Sequence, residues 1–271
     1  MPKRLEIAVR AIAAAGAIAS LAAQDSTQFT DAAAADLFRY SRMSVTGGGN
    51  IGRLRALILK GRARFVVNER GDLAGAVVDI KLLLPDHYLR IDTAGTSQKT
   101  AGYAGKTVLS SMHDGASVSY PPDQLRQTIL QNEKQRVARL LLGAITYVSG
   151  DLPMTFSSVP QSIEFVDPRI NPRTSMAVNN STAEPYTALV SGAHFSARFI
   201  VDGKNRTPAH IVFVGADKKP VTMTFEDRRS VDGLQLPFHI VTTIDGHVID
   251  DLVFDEILVN PELSKADFKK P

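Results

Sequence analysis

The stretch that decides the fold is Val221-Thr222-Met223-Thr224-Phe225, followed by Phe238 and Ile240 and then by Val248, Leu252 and Phe254. Apolar residues keep falling at alternate positions, which is the two-residue period of strands with one buried face. Asp232-Gly233 and Asp245-Gly246 separate these runs. Asp-Gly between alternating segments is the strongest short-range hairpin signal, because the favoured two-residue turn needs positive φ at both positions. Residues 221–271 therefore read as antiparallel strands paired in chain order. They close with Val259-Asn260-Pro261 and a tail whose Phe268 is expected to dock back onto the sheet. So long a meander must bury its apolar face against the rest of the chain or against a ligand.

Upstream, Phe195, Ala197, Phe199 and Val201 alternate with Ser196 and Arg198, Asp202-Gly203 turns the chain, and Ile211 to Val214 follows. Met154 to Phe165 and Thr187 to Ser191 are further strand-like pieces. The polar stretch Asp167 to Glu184 between them, which holds Asn180-Ser181-Thr182, reads as an exposed loop. Pro121-Pro122-Asp123 opens the one long helix, expected from Pro122 to about Val148. Its apolar residues include Val137, Leu140, Leu141 and Ile145, while Gln131 to Arg136 is wholly polar and is expected to meet water. Gly143 costs such a helix about 1 kcal/mol relative to alanine and marks a point where it could yield.

In the first half, Thr30 or Asp31 caps a short helix from Ala32 to Arg42, Gly47-Gly48-Gly49 breaks it, and a helical turn carries Ile51, Leu54 and Leu57. Leu59, Ala63, Phe65 and Val67 then alternate with Lys60, Arg62 and Arg64. Strands from Leu73 to Leu84 and from Tyr88 to Thr93 follow, with a hairpin through Gly105-Lys106. The layout is two groups of antiparallel strands on either side of one helix, an α+β, mainly β chain.

The 271 residues carry 31 Lys+Arg against 28 Asp+Glu. Lys3, Arg4, Glu6 and Arg10 lie in a segment, residues 1–23, that reads as a signal peptide: a basic front, an Ala-rich run from Ala11 and small residues through Ala22 and Ala23. Its apolar run is shorter than the ~20 residues of a membrane span. Without those residues the balance is 28 against 27 with no basic block, which excludes nucleic acid as a partner. The chain has no cysteine, so disulfides, thiol catalysis and a lipid-modified cysteine anchor are ruled out. Residues 24–49 read as a polar leader and short helix, and residues 50–271 as a single domain.

Catalytic patterns are missing from the sequence. The six histidines, at 87, 113, 194, 210, 239 and 247, include no HExxH pair. His194 and His210 could meet across a hairpin and bind a metal only with Asp202 as the third protein ligand that a catalytic zinc needs, and they read instead as solvent-facing strand residues. There is no Gly-x-Ser-x-Gly elbow, and the glycines at 47–49 lead into neither a P-loop nor a dinucleotide fingerprint. Asp250-Asp251 and Asp255-Glu256 are neighbours on strands and point to opposite faces. The expectation is a protein that is not an enzyme and needs no cofactor or metal.

Several segments resemble the LolA/LolB-like lipoprotein carrier superfamily, in particular the bacterial outer-membrane lipoprotein-sorting proteins. They are Gly52-Arg53-Leu54-Arg55-Ala56-Leu57 running into Leu59-Lys60-Gly61-Arg62-Ala63, Leu84-Pro85-Asp86-His87-Tyr88-Leu89-Arg90, Gly102-Tyr103-Ala104-Gly105-Lys106, Val231 to Pro237, and Phe254 to Pro261. The resemblance implies an unclosed, curved antiparallel half-barrel covered by helix, holding acyl chains of a lipid or lipoprotein in the periplasm. It also implies a membrane-bound donor or acceptor protein as a further partner; we expect a monomer. The alternative is a periplasmic sensor or scaffold that binds a protein partner in the same half-barrel. Alternation assigns Leu59, Phe65, Val67, Ile80, Leu82, Leu89, Ile91, Phe195, Phe199, Val201, Phe213 and Phe225 to the concave, ligand-binding face, with Leu140, Leu141 and Ile145 of the helix as lid.

Overall fold

The computed structural model describes residues 27–49, 51–68, 71–72, 75–115, 117–150, 152–159, 186–192, 195–215 and 217–269, with the backbone alone for 65–68 and 71–72. The signal-like residues 1–23, the Asp167 to Glu184 stretch and His194 lie outside the described residues.

The elements in chain order are β1 (Thr27–Phe29), α1 (Ala32–Thr46), β2 (Ala56–Asn68), β3 (Gly71–Asp72), β4 (Ala76–Leu83), β5 (His87–Ala94), β6 (Ser97–Ala104), β7 (Thr107–Val108), β8 (Ser111–Asp114), β9 (Ser117–Ser119) and α2 (Arg126–Ile145). After α2 come β10 (Met154–Ser158), β11 (Thr187–Gly192), β12 (Phe195–Val201), β13 (Pro208–Val214), β14 (Pro220–Val231), β15 (Leu234–Ile244) and β16 (His247–Val259). The expected hairpins are present. Val231 pairs with Leu234 and Ile244 with His247, and the turn residues Asp232, Gly233, Asp245 and Gly246 all have positive φ.

The two expected groups of strands are in fact one sheet. Its path runs β1-β10-β11-β12-β13-β14-β15-β16-β2-β4-β5-β6-β8-β9, because the last strand pairs antiparallel with the first long one, Ile257 opposite Leu59 and Phe254 opposite Gly61. The sheet is curved and unclosed, with α2 lying across it. At the end of the seam Asn260 takes positive φ and its Oδ1 accepts from the backbone N–H of Arg55 at 2.7 Å, 205 residues away in sequence. Gly61 is required at the seam, since a Cβ there would run into the backbone of Val253 and Phe254.

Residues 27–49 belong to the same core as the rest. β1 pairs with β10, and Phe38 of α1 packs on Phe156 with ring centroids 4.6 Å apart. α2 starts later than the prolines suggest, because Asp123–Leu125 forms a 3-10 turn, and it stops at Thr146, which has φ 53°. On the outer side of the sheet Phe268 is buried against Leu89 and Leu109, so the tail docks as expected.

Asp31 ties the N-terminus of α1 to the sheet edge. Its carboxylate accepts from the backbone N–H of Ser158 at 2.9 Å and of Ala34 at 2.8 Å, and these bonds lower its pKa from 3.8 to about 2. A depressed acid stabilises the fold above its unfolded pKa and loses that contribution as pH falls through the folded value. Asp31→Ala should cost about 1 kcal/mol in urea unfolding at neutral pH. The fall in urea midpoint from about pH 5 to about pH 2 should be smaller in Asp31→Asn than in the wild type.

Candidate functional site

Which residues face α2 follows from the β4–β5 register. Leu82 lies opposite Tyr88, Ile80 opposite Arg90 and Val78 opposite Asp92, and directly opposed residues share a face. The inner side of β5 is therefore Tyr88, Arg90 and Asp92. β6 continues this face with Tyr103, Ala101 and Lys99, and β16 with Leu252 and Asp250.

Between this face and α2 lies a cavity of about 360 Å³. Phe213, Val221, Met223, Ile240, Ile244, Ile249 and Leu252 form an apolar wall on one side, and Tyr88, Arg90, Asp92, Lys99, Arg136 and Asp250 form a polar end. Leu140 and Arg139 of α2 make part of the roof. A second hollow of about 500 Å³ near Thr46, Arg53, Asp232 and Asn260 is walled mainly by turns rather than by a strand face.

The polar end is knotted together. Arg90, only 2% exposed, donates from Nη1 and Nη2 to the two oxygens of Asp250 at 2.6 and 3.0 Å and from Nε to Asp92 at 2.8 Å. Burial by itself would weaken the Arg90 charge, but Asp250 and Asp92 outweigh it and hold the guanidinium above the ordinary arginine range. Burial pushes the Tyr88 phenol up to about 12. Arg136 lies 3.7 Å from both Asp250 and Glu133. Both oxygens of Asp250 are committed to Arg90, so the carboxylates of Asp250 and Asp92 clamp the guanidinium from two sides. Among the described residues no group of three or more His, Cys, Asp or Glu is placed to hold a metal ion.

Of the residues assigned to the ligand face, Ile80, Phe213 and Leu140 line this cavity. Leu59, Leu82, Phe195, Phe199, Val201, Phe225, Leu141 and Ile145 are buried in the main core and do not line it. The side chains of Phe65 and Val67 fall outside the described part. Leu89 and Ile91 are a correction: they belong to a separate cluster with Leu109 and Phe268 on the outer side of the sheet, because Leu89 is paired with Lys81 and not with the Ile80 row. The polar segment of α2 is likewise turned partly inward, through Glu133 and Arg136.

The second half of α2 is pinned. A Cβ at Gly143 would overlap the ring of Phe225, so the glycine permits close packing and is not a weak point. Arg228 donates to the carbonyls of Gly143, Ala144, Pro208 and Gln235 at 2.8–2.9 Å, which satisfies carbonyls at the helix end. Its burial lowers its pKa to about 10.

No family model matches the sequence, and no curated protein matches it. Among solved structures the chain is similar to a domain named as an outer membrane lipoprotein-sorting protein from Vibrio parahaemolyticus. The identity is 9%, 86% of this chain and 94% of that one are covered, and the TM-score is 0.46. It is also similar to a LolA superfamily protein from Nitrosomonas europaea, with 10% identity, coverage of 89% and 99%, and a TM-score of 0.48.

Two stability measurements check the site's architecture. Arg90→Met leaves Asp250 and Asp92 without their buried partner and should lower the unfolding free energy by about 3–5 kcal/mol. Gly143→Ala separates helix propensity from packing by sign. Propensity alone would stabilise by about 1 kcal/mol, whereas the clash with Phe225 should destabilise by about 1–3 kcal/mol. A Phe225→Leu background should relieve part of that loss.

Proposed function

We propose that this chain is a periplasmic carrier that holds a lipid, or the acyl part of a lipidated protein, in the cavity beneath α2, and that it carries out no chemistry on it. The observation that supports this most directly is the apolar wall of Phe213, Val221, Met223, Ile240 and Leu252 left unfilled beneath α2. A well-packed interior has few voids larger than a water molecule. A cavity of about 360 Å³ lies at the lower end of the ~300–1,000 Å³ of small-molecule sites. The export reading of residues 1–23 supplies the compartment, and among the described residues no helix is long and apolar enough to cross a membrane.

The magnitudes favour a carrier over a permanent store. Burying about fifteen methylenes gains roughly 12 kcal/mol at ~0.8 kcal/mol each, against about 4–15 kcal/mol lost on association. One chain is therefore held reversibly. The cavity's volume suits one chain rather than several, and the pinned end of α2 opposes enlarging it.

Protein purified from the periplasm should release lipid on organic extraction and bind a fluorescent fatty acid in solution. Ile244→Asp, which places a carboxylate on the half-buried cavity wall, should reduce that binding more than about tenfold while the fold persists, since an unpaired charge is costly in apolar surroundings. No lipid in the extract together with no binding of the probe would sink the proposal.

A further inference from the structure

Among the described residues four cations line the cavity, and they are not equally provided for: Lys99 is half-buried at the polar end, opposite Asp92 on the neighbouring strand. Arg90 is matched by Asp92 and Asp250, and Arg136 by Glu133 and Asp250. Arg139, one helical turn from Gln135, is different. Its guanidinium lies 3.8 Å from the ring centre of Phe213 and 5.1 Å from that of Phe195. Its Nη2 donates to Gln135 Oε1 at 3.1 Å. Its Nε is buried without a hydrogen-bond partner, and among the described residues no carboxylate lies within ion-pair distance. Burial lowers its pKa to about 10, so it remains a cation at neutral pH, half-buried between the two rings and part of the cavity lining.

Buried charges are ordinarily paired, and an arginine fork fits two oxygens of a carboxylate or a phosphate. Resting on the carrier reading above, we infer that the cavity is built for a single-tailed acidic amphiphile, with Arg139 receiving its oxyanion head and the wall of Val221, Met223 and Ile240 receiving its tail. The shared chemistry is a carboxylate or phosphate on one hydrocarbon chain. A neutral lipid of the same length satisfies the wall but leaves Arg139 unpaired. The volume of about 360 Å³ sets the tail count at one.

The test is displacement of a fluorescent fatty acid from the purified full chain by palmitate, by hexadecyl phosphate and by hexadecanol, on the wild type and on Arg139→Gln and Arg139→Lys. Either anion should displace the probe at a concentration about tenfold or more below that of hexadecanol, the size expected of a hydrogen bond to a charged group. Whichever anion is stronger identifies the head. Arg139→Gln should erase the preference by weakening the anions while leaving hexadecanol unchanged, and Arg139→Lys should keep part of it. If Arg139→Gln fails to fold, the wild-type comparison decides, together with loss of the palmitate preference at a pH that protonates its carboxylate. Equal binding of palmitate, hexadecyl phosphate and hexadecanol, or an equal loss of all three in Arg139→Gln, would overturn the assignment of Arg139 and leave the carrier reading standing. Binding of none would overturn both.

Discussion

The bridge from Arg90 to Asp250 is the contact on which the shape of the molecule depends. Along the sheet the two residues are three strands apart, β5-β4-β2-β16, and at about 4.8 Å per strand a flat sheet would separate them by about 14 Å. Side chains standing up from a flat sheet would not meet over that span, and the hydrogen bonds at 2.6 and 3.0 Å fit a sheet that curls its concave side over the pair. The bridge is therefore a chord across the arc. Asp92 steadies the arginine from its own strand, and Arg136 brings the long helix to the same point. Such an ion pair contributes less to stability than to geometry, because desolvation offsets most of its Coulomb attraction. What it fixes is the width of the space between sheet and helix.

That space is kept open from the other end as well. Gly143 lets the helix approach Phe225 closely, and Arg228 holds the carbonyls of the last turn. The helix is thus fastened at Arg136 and again near Ala144, with Arg139 and Leu140 spanning the gap between. An unfilled volume beneath a helix clamped at both points is a feature of the fold and not slack in its packing.

Much of this was legible in the sequence. The Asp-Gly turns, the alternation in β12 and β14, the docking of Phe268 and the long helix all rest on local patterns, and the local patterns decide them. The face of β5 is not legible from apolarity alone, which points Leu89 and Ile91 inward, whereas the inner side carries Tyr88, Arg90 and Asp92. The signal that could have corrected this is the hairpin at Leu84 to Asp86. Once Leu82 pairs with Tyr88, Ile80 must share a face with Arg90, so Ile80 and Leu89 cannot both point inward. A tyrosine followed at alternate positions by charges of opposite sign is also the pattern of a buried, self-neutralising row. The pairing of Arg90 with Asp250 has no local trace, since it joins residues 160 apart. The role of Gly143 depends on a ring supplied by a distant strand.

The seam between β16 and β2 bears on how the molecule is assembled. Every other strand pair on the long path except β1 with β10 joins strands that are consecutive or nearly consecutive in the chain, and such pairs can form as the chain emerges. β2 has no partner on one side until residues 247–259 exist, and loop closure on that scale is slow compared with hairpin formation. During that interval the first half presents an unpaired edge of thirteen residues, β2 from Ala56 to Asn68, which is a template for pairing with a second chain. Lys60, Arg62 and Arg64 alternate along that edge, a run of like charge that repels another copy of itself. In the finished protein Lys60 meets Glu256 and Arg64 meets Asp251 of β16, so charges that guard the waiting edge also select the strand that completes it.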